Sequence, residues 1–279
     1  MASYAPQDEG LAPRGSASGE ILIGWRQMVR AALLLGTLLA LAYYNVLFEG
    51  RSLVYSDNYN PLDPRPSAES YGPGFVRPHG FLRHGILLHA NFHDPGGAWW
   101  QWEPGVVFLR RGLLAGEPPW WDPYVGAGAP AMANVIPTWF FPPYLAMVLL
   151  GDTPLLRTAY SLALLLAAGL FSFAFLRKHG LGFGASLLGG AAYVFSGAMA
   201  QNVGSFIGQT AACLPAALWL CRRFLDRPSW PRTAALAAGF AIISLSSFPP
   251  VLVEVFGLAV LYVLGMVLAE EADRAGLGR

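Results

Sequence analysis

Long apolar runs separated by short polar turns make up most of the chain, and one long polar, aromatic stretch interrupts them. The runs cover residues 31–48, 155–176, 183–200, 207–220, 233–248 and 251–268. A bilayer core is crossed by about 20 apolar helical residues. The pattern therefore predicts an all-α, polytopic membrane bundle of about six transmembrane helices. Between the first and second runs lies a stretch dense in Pro, Gly, Trp and charge, a long loop outside the membrane.

Flanking charges orient these runs. Arg26 and Arg30 precede the first run, and no small-residue cleavage site follows it. The run therefore reads as an anchor with its N-terminus in the cytoplasm, not as a cleaved signal peptide. Residues 134–150 are apolar enough to span, but Pro137, Pro142 and Pro143 break their first half. If this segment crosses, the cationic turns Arg177-Lys178-His179 and Arg222-Arg223 through Arg227 and Arg232 fall outside. If it stays interfacial, both fall inside, and the positive-inside rule favours that arrangement. The expected organisation is a cytoplasmic disordered tail at 1–28 and a first transmembrane helix at 29–49. An extracytoplasmic loop with interfacial helices follows at 50–154, then a five-helix bundle at 155–269 and a cytoplasmic tail at 270–279.

Composition agrees. Hydrophobic residues make up 54% of the 279 and charged residues 13%, against roughly 25% charged in soluble domains. A net charge of +1, without a basic stripe, argues against a nucleic-acid partner. Cys213 and Cys221 fall in apolar sequence and, on one helix, would lie roughly 12 Å apart, too far for a disulfide. Gly184, Ala185, Ser186, Gly189, Gly190, Ala191 and Ala192 suit close packing between lipid-embedded helices.

The outer loop concentrates the candidate chemistry. From His93 to Pro130 it combines Asp94, Gln101, Glu103 and Asp122 with Trp99, Trp100, Trp102, Trp120 and Trp121. Aromatic faces beside carboxylates and amides suit a sugar. Trp and Tyr also gather at membrane interfaces because they are amphipathic, so both accounts of the tryptophans stand. Within the loop, Glu103–Ala115 carries a helical signal, with Pro104 in its first turn and Val106, Val107, Leu109, Leu113 and Leu114 apolar. Arg110 and Arg111 among them fit a surface helix with snorkelling stems. His84, His89 and His93 stand near Asp94, but their spacing matches no recognised metal-ligand pattern. Glu254 lies in an apolar run, where a carboxylate is costly and usually faces a cavity or a partner, or sits near the interface. Gln201, Asn202, Ser205 and Gln209 cluster at the outer end of two helices, where they line a cavity or cap a turn.

The ordered pieces resemble the bacterial YfhO-like membrane proteins of the GT-C glycosyltransferase class. The matching residues are Asp94, Gln101, Gly116, Pro119, Trp121, Asp122, Pro123, Gly128 and Pro130, followed in order by Tyr193–Ala198, Leu214–Arg223 and Ser246–Pro250. The resemblance covers most of the chain after residue 30. It departs from the family in a longer Asp94–Gln101 step and in Asp rather than Asn at 122.

The resemblance implies one helix, a long outer loop with juxtamembrane helices, and a further run of helices in a bacterial inner membrane. It implies a sugar donor on a polyprenyl phosphate and a glycan or lipid acceptor. An outer carboxylate would act as general base or position a divalent cation (Mg or Mn). Asp94 is the leading candidate and Asp57, nearer the first helix, the rival. Gln101, Glu103, Trp121, Asp122 and Glu254 are candidate substrate contacts. Arg110, Arg111 or Arg157 would supply cationic help to the leaving phosphate. Family members usually carry more helices and a soluble C-terminal part, so the chain is expected to correspond to their N-terminal portion. A transporter or flippase for lipid-linked glycans is the alternative, but the runs are nearly apolar apart from Glu254, and no repeat symmetry is evident. A non-catalytic assembly protein is the third possibility. The topology predicts that a cysteine placed at Ser67 is labelled from outside and one at Ser229 from inside; the reverse pattern would overturn it.

Overall fold

The structure is a computed structural model that describes residues 23–48, 53, 102–117, 119–123, 127–131, 138–151, 153–246 and 248–274. Among these residues it is helical, and the one β-type pairing is an isolated bridge between Asp122 and Ala129. The helices, in chain order, are α1 (Trp25–Ala42), α2 (Tyr44–Phe48), α3 (Glu103–Ala115), α4 (Pro142–Leu150), α5 (Pro154–Lys178), α6 (Phe183–Val194), α7 (Gly197–Gln201), α8 (Phe206–Ala211), α9 (Leu214–Asp226), α10 (Trp230–Ser244) and α11 (Pro249–Arg274).

Among the described residues, four segments are long and apolar enough to cross a membrane: Trp25–Ala42, Pro154–Lys178, Phe183–Gln201 and Pro249–Ala272. They mark the chain as a membrane protein. The sequence pattern predicted about six spans. The difference lies in α9 and α10, whose 13 and 15 residues fall short of the ~20 that a bilayer core requires. At nine residues, α4 is shorter still, about 14 Å of helix, and cannot cross. Of the segment 134–150 assigned to the interface from the sequence, residues 134–137 lie outside the described residues.

Helix α5 is the central column. One stripe of α1, with Ala31, Leu35 and Leu39 buried at four-residue spacing, faces the bundle, and the same period brings Gln27 against α5, where its Oε1 accepts from Arg177 Nη2 at 3.4 Å. Arg26, Arg30, Leu33 and Leu41 lie on the exposed side. The closest approach is between α5 and α6. A Cβ on Gly190 would lie 2.7 Å from the Gly169 carbonyl oxygen, and one on Gly169 would lie 2.9 Å from Val194 Cγ2. Small residues are required here because lipid supplies no hydrophobic drive between helices, leaving backbone proximity and dispersion to hold them. Of the small-residue segment read from the sequence, Gly189 and Gly190 face α5, whereas Gly184, Ala185 and Ala192 are exposed.

Opposite helix directions sort the charges. The C-terminal ends of α5 and α9 meet at one end of the bundle, where Asp226 pairs with Lys178 at 3.2 Å and with Arg222 at 2.8 Å. His179 lies 2.9 Å from the Tyr262 hydroxyl of α11. Burial, reinforced by the Arg222 charge and opposed by Asp226, lowers the imidazole pKa below its ordinary value. Gln27 brings the start of α1 to this same end. The N-terminal arginines and both cationic turns thus share one end, and α3 and α4 sit at the other.

Gly190→Val should lower the thermal midpoint in detergent by the equivalent of about 1–3 kcal/mol, because the facing atom is backbone and cannot turn aside. Gly184→Ala, with open space around its Cβ, should leave it unchanged or slightly raised. Labelling of the buried Cys213 and Cys221 thiols reports the transition, and equal midpoints for the two variants would refute the packing account.

Candidate functional site

At the loop end, a line of buried side chains connects the loop to the bundle. Trp102, immediately before α3, donates through Nε1 to Thr138 Oγ1 at 3.4 Å. Its ring stacks on Tyr144 of α4 with centroids 5.6 Å apart, and Tyr144 meets Tyr160 of α5 edge-on at 6.1 Å. The Tyr160 hydroxyl donates to Gln209 Oε1 on α8. Gln209 Nε2 then donates to the Ser246 carbonyl at 3.2 Å, in the break between α10 and α11. A separate tie holds the other arm of the loop, where the Leu53 amide donates to Thr158 Oγ1 at 3.2 Å.

The break at Ser246 explains why Gln209 and Thr210 are polar in an apolar core. Pro249 and Pro250 open α11 and have no N–H to give to the carbonyls before them. Within a membrane such carbonyls need protein donors, since lipid offers none. Thr210 Oγ1 lies 3.0 Å from the Ser246 oxygen and itself accepts from the Phe248 amide at 3.3 Å. Gln209 and Thr210 are both almost fully buried. Two neighbouring side chains therefore replace the missing helical hydrogen bonds.

Beside this line runs a narrow cleft. Trp102, Tyr160, Ser161, Asn202, Ser205 and Gln209 contribute to its walls, and its interior has room on the order of one water molecule. Of the four polar residues noted in the sequence, Asn202, Ser205 and Gln209 line it and Gln201 does not. Ser205 also caps α8, accepting from the Gly208 amide at 3.2 Å and donating to the Asn202 carbonyl at 2.8 Å. Cavity lining and turn capping coincide here.

The tryptophan motif folds into a compact turn. Asp122 and Ala129 exchange backbone hydrogen bonds at 2.8 and 2.9 Å, and the Ala131 amide donates to the Trp120 carbonyl at 3.0 Å. Gly128 has φ +101°, and a Cβ there would fall 2.6 Å from the Trp121 ring. Glycine is required at this position on both counts. The turn thus brings Trp121, Asp122 and Gly128 together, and Trp120 and Trp121 remain exposed.

The remaining candidates are dispersed. Arg110 is engaged at the end of α4, where its Nη1 donates to the carbonyls of Val148 and Leu149 at 2.7 and 2.8 Å. Such a contact also complements the negative end of that helix. Arg111 is exposed on α3, Arg157 is half-buried near the start of α5, and Glu254 is exposed near the start of α11, away from the cleft. Asp57, Asp94 and Gln101 lie outside the described residues, as do His84, His89 and His93; Glu103 begins α3, and its side chain is not among those described. Among the described residues no group of His, Cys, Asp and Glu has the arrangement of a metal site.

The sequence did not point to Thr138, Tyr144, Tyr160, Thr210 or Ser246. Thr138 is a buried β-branched residue at φ +54°, an outlying conformation held by its surroundings with no local sequence signal. Ser246 carried one signal, its place just ahead of a proline pair. Comparison with protein-family models, with curated proteins and with solved structures finds no match.

Gln209→Leu should destabilise the protein by about 1–3 kcal/mol, because it strands the buried Tyr160 hydroxyl and removes a donor from Ser246. Adding Tyr160→Phe should cost less in that background than in the wild type. Strict additivity in a double-mutant thermal-unfolding cycle would show that the two side chains are not coupled.

Proposed function

We propose that the chain is a membrane glycosyltransferase of the GT-C kind, or the N-terminal portion of one. It transfers a sugar from a polyprenyl-phosphate donor at the outer face of a bacterial inner membrane. The observation that supports this best is the position of α3 and α4, two short helices packed at the end of the bundle opposite the cationic turns. One helix, a long loop returning through juxtamembrane helices, and a further bundle is the arrangement that the resemblance implies. In this reading α8 with α9, and α10, complete six crossings. The cationic end lies in the cytoplasm.

The chemistry follows from the loop. A carboxylate takes the acceptor hydroxyl proton as that oxygen attacks the anomeric carbon, and the lipid-linked phosphate departs with the bonding electrons. Asp94 is assigned this role and Asp57 is the rival. Exposed Trp120 and Trp121, beside Asp122, offer a face for a sugar ring. Arg111 is the better placed of the adjacent arginines to meet the phosphate, because Arg110 already holds the end of α4. A divalent cation bound by the loop carboxylates would supply further charge neutralisation.

Asp94→Asn should reduce transfer from a polyprenyl-phosphate sugar donor by about 10²–10⁴-fold, the usual worth of a general base, while leaving the folded fraction unchanged. Unchanged transfer with a matching loss in Asp57→Asn would move the role to Asp57. If every loop carboxylate tolerates substitution while deletion of 52–129 abolishes function, the loop is a binding element and the catalytic reading fails.

A further inference from the structure

The cationic end carries a feature that glycosyl transfer at the opposite face does not use. The turn from α9 to α10 holds Arg222, Arg223, Arg227 and Arg232 with a single acid, Asp226. Asp226 points inward, 13% exposed, and its two oxygens answer Lys178 and Arg222. One carboxylate thus serves two cations. Arg223 and Arg227 are exposed. The Arg223 guanidinium lies 5.3 Å from the Trp219 ring centre. Arg232 donates to the carbonyl oxygens of Arg223 and Arg227 at 2.9 and 3.3 Å, which brings a third guanidinium beneath the same two residues.

The surface beside these charges has the character of a lipid contact. Trp230 is 81% exposed, and below it Ala234, Ala237, Ala238, Ala241 and Ile242 continue an exposed apolar stripe along α10. The stripe follows the helical spacing from Trp230, which stands three residues after Arg227 in the chain. Indole and guanidinium side chains at a helix end are the combination that the headgroup layer favours.

We propose that this turn binds the headgroup of an anionic phospholipid. The guanidiniums of Arg223 and Arg227 take the phosphodiester oxygens, Trp230 sits in the interfacial layer, and the acyl chains follow α10. Guanidinium suits the task because its planar fork matches two phosphate oxygens and it is weakly hydrated. The apolar stripe identifies the ligand as lipid, since a soluble phosphate would gain nothing from it.

The test uses the full chain in neutral detergent, with retained lipid counted by native mass spectrometry during titration with phosphatidylglycerol or phosphatidylcholine. The wild type should retain phosphatidylglycerol preferentially. The R223Q/R227Q variant should lose affinity on the order of tenfold, and R223K/R227K should keep most of it. Exposed Arg227→Gln alone should give a several-fold loss with folding preserved. Equal retention of phosphatidylglycerol by Arg227→Gln and the wild type would overturn the proposal. So would equal retention of the two lipids by the wild type, or displacement of phosphatidylglycerol by equimolar glycerol phosphate.

Discussion

The carbonyl of Ser246 is the point on which the loop end of the bundle depends. A helix break within an apolar bundle exposes backbone groups that lipid cannot satisfy. Here Gln209 and Thr210 supply the donors, and Thr210 also accepts from Phe248. Because Gln209 is committed to Ser246 through its nitrogen, its oxygen is left to accept from Tyr160. That bond fixes the outer part of α5, and the Tyr160 ring positions Tyr144 and, through it, Trp102. Trp102 is therefore docked by a chain of contacts that begins at a carbonyl left without a helical donor by the proline pair.

The two ends of the molecule solve different physical problems. At the loop end Tyr160, Gln209 and Thr210 pair with one another and with backbone. At the other end charged side chains pair, with Asp226 between Lys178 and Arg222. Between them, glycine contacts at 169 and 190 let α5 and α6 approach until backbone meets backbone. The proposed transferase and the proposed lipid site thus occupy opposite faces and do not share a residue.

Much of the architecture was legible in the sequence. Apolar run lengths located the membrane-length helices, because hydrophobic length acts locally. Glu103–Ala115 was read with its Pro104 start, and the helix occupies those residues. The glycine-rich stretch near 184–192 was recognised as a packing surface for the same reason. Of the candidate site, the cluster of Asn202, Ser205 and Gln209 was visible; Trp121, Asp122 and Gly128 were named singly, and the turn brings them together. The proposed catalytic carboxylates rest on the resemblance and on the chemistry of the loop, as Asp57 and Asp94 lie outside the described residues.

What the sequence determined by itself was that the chain enters a membrane, roughly where its helices run, and that its unusual chemistry is gathered in one loop. Hydropathy and charge decide these because each residue's transfer energy is set by its own side chain. Tertiary structure decided which polar residues act together. Tyr160, Gln209 and Ser246 are far apart in the chain, and only the packing of α5, α8 and the α10–α11 break makes them partners. It also decided that Arg110 closes the end of α4 and that Asp226 turns inward. A side chain's type fixes what it can bond, but the partner within reach is set by how helices distant in sequence come to lie side by side.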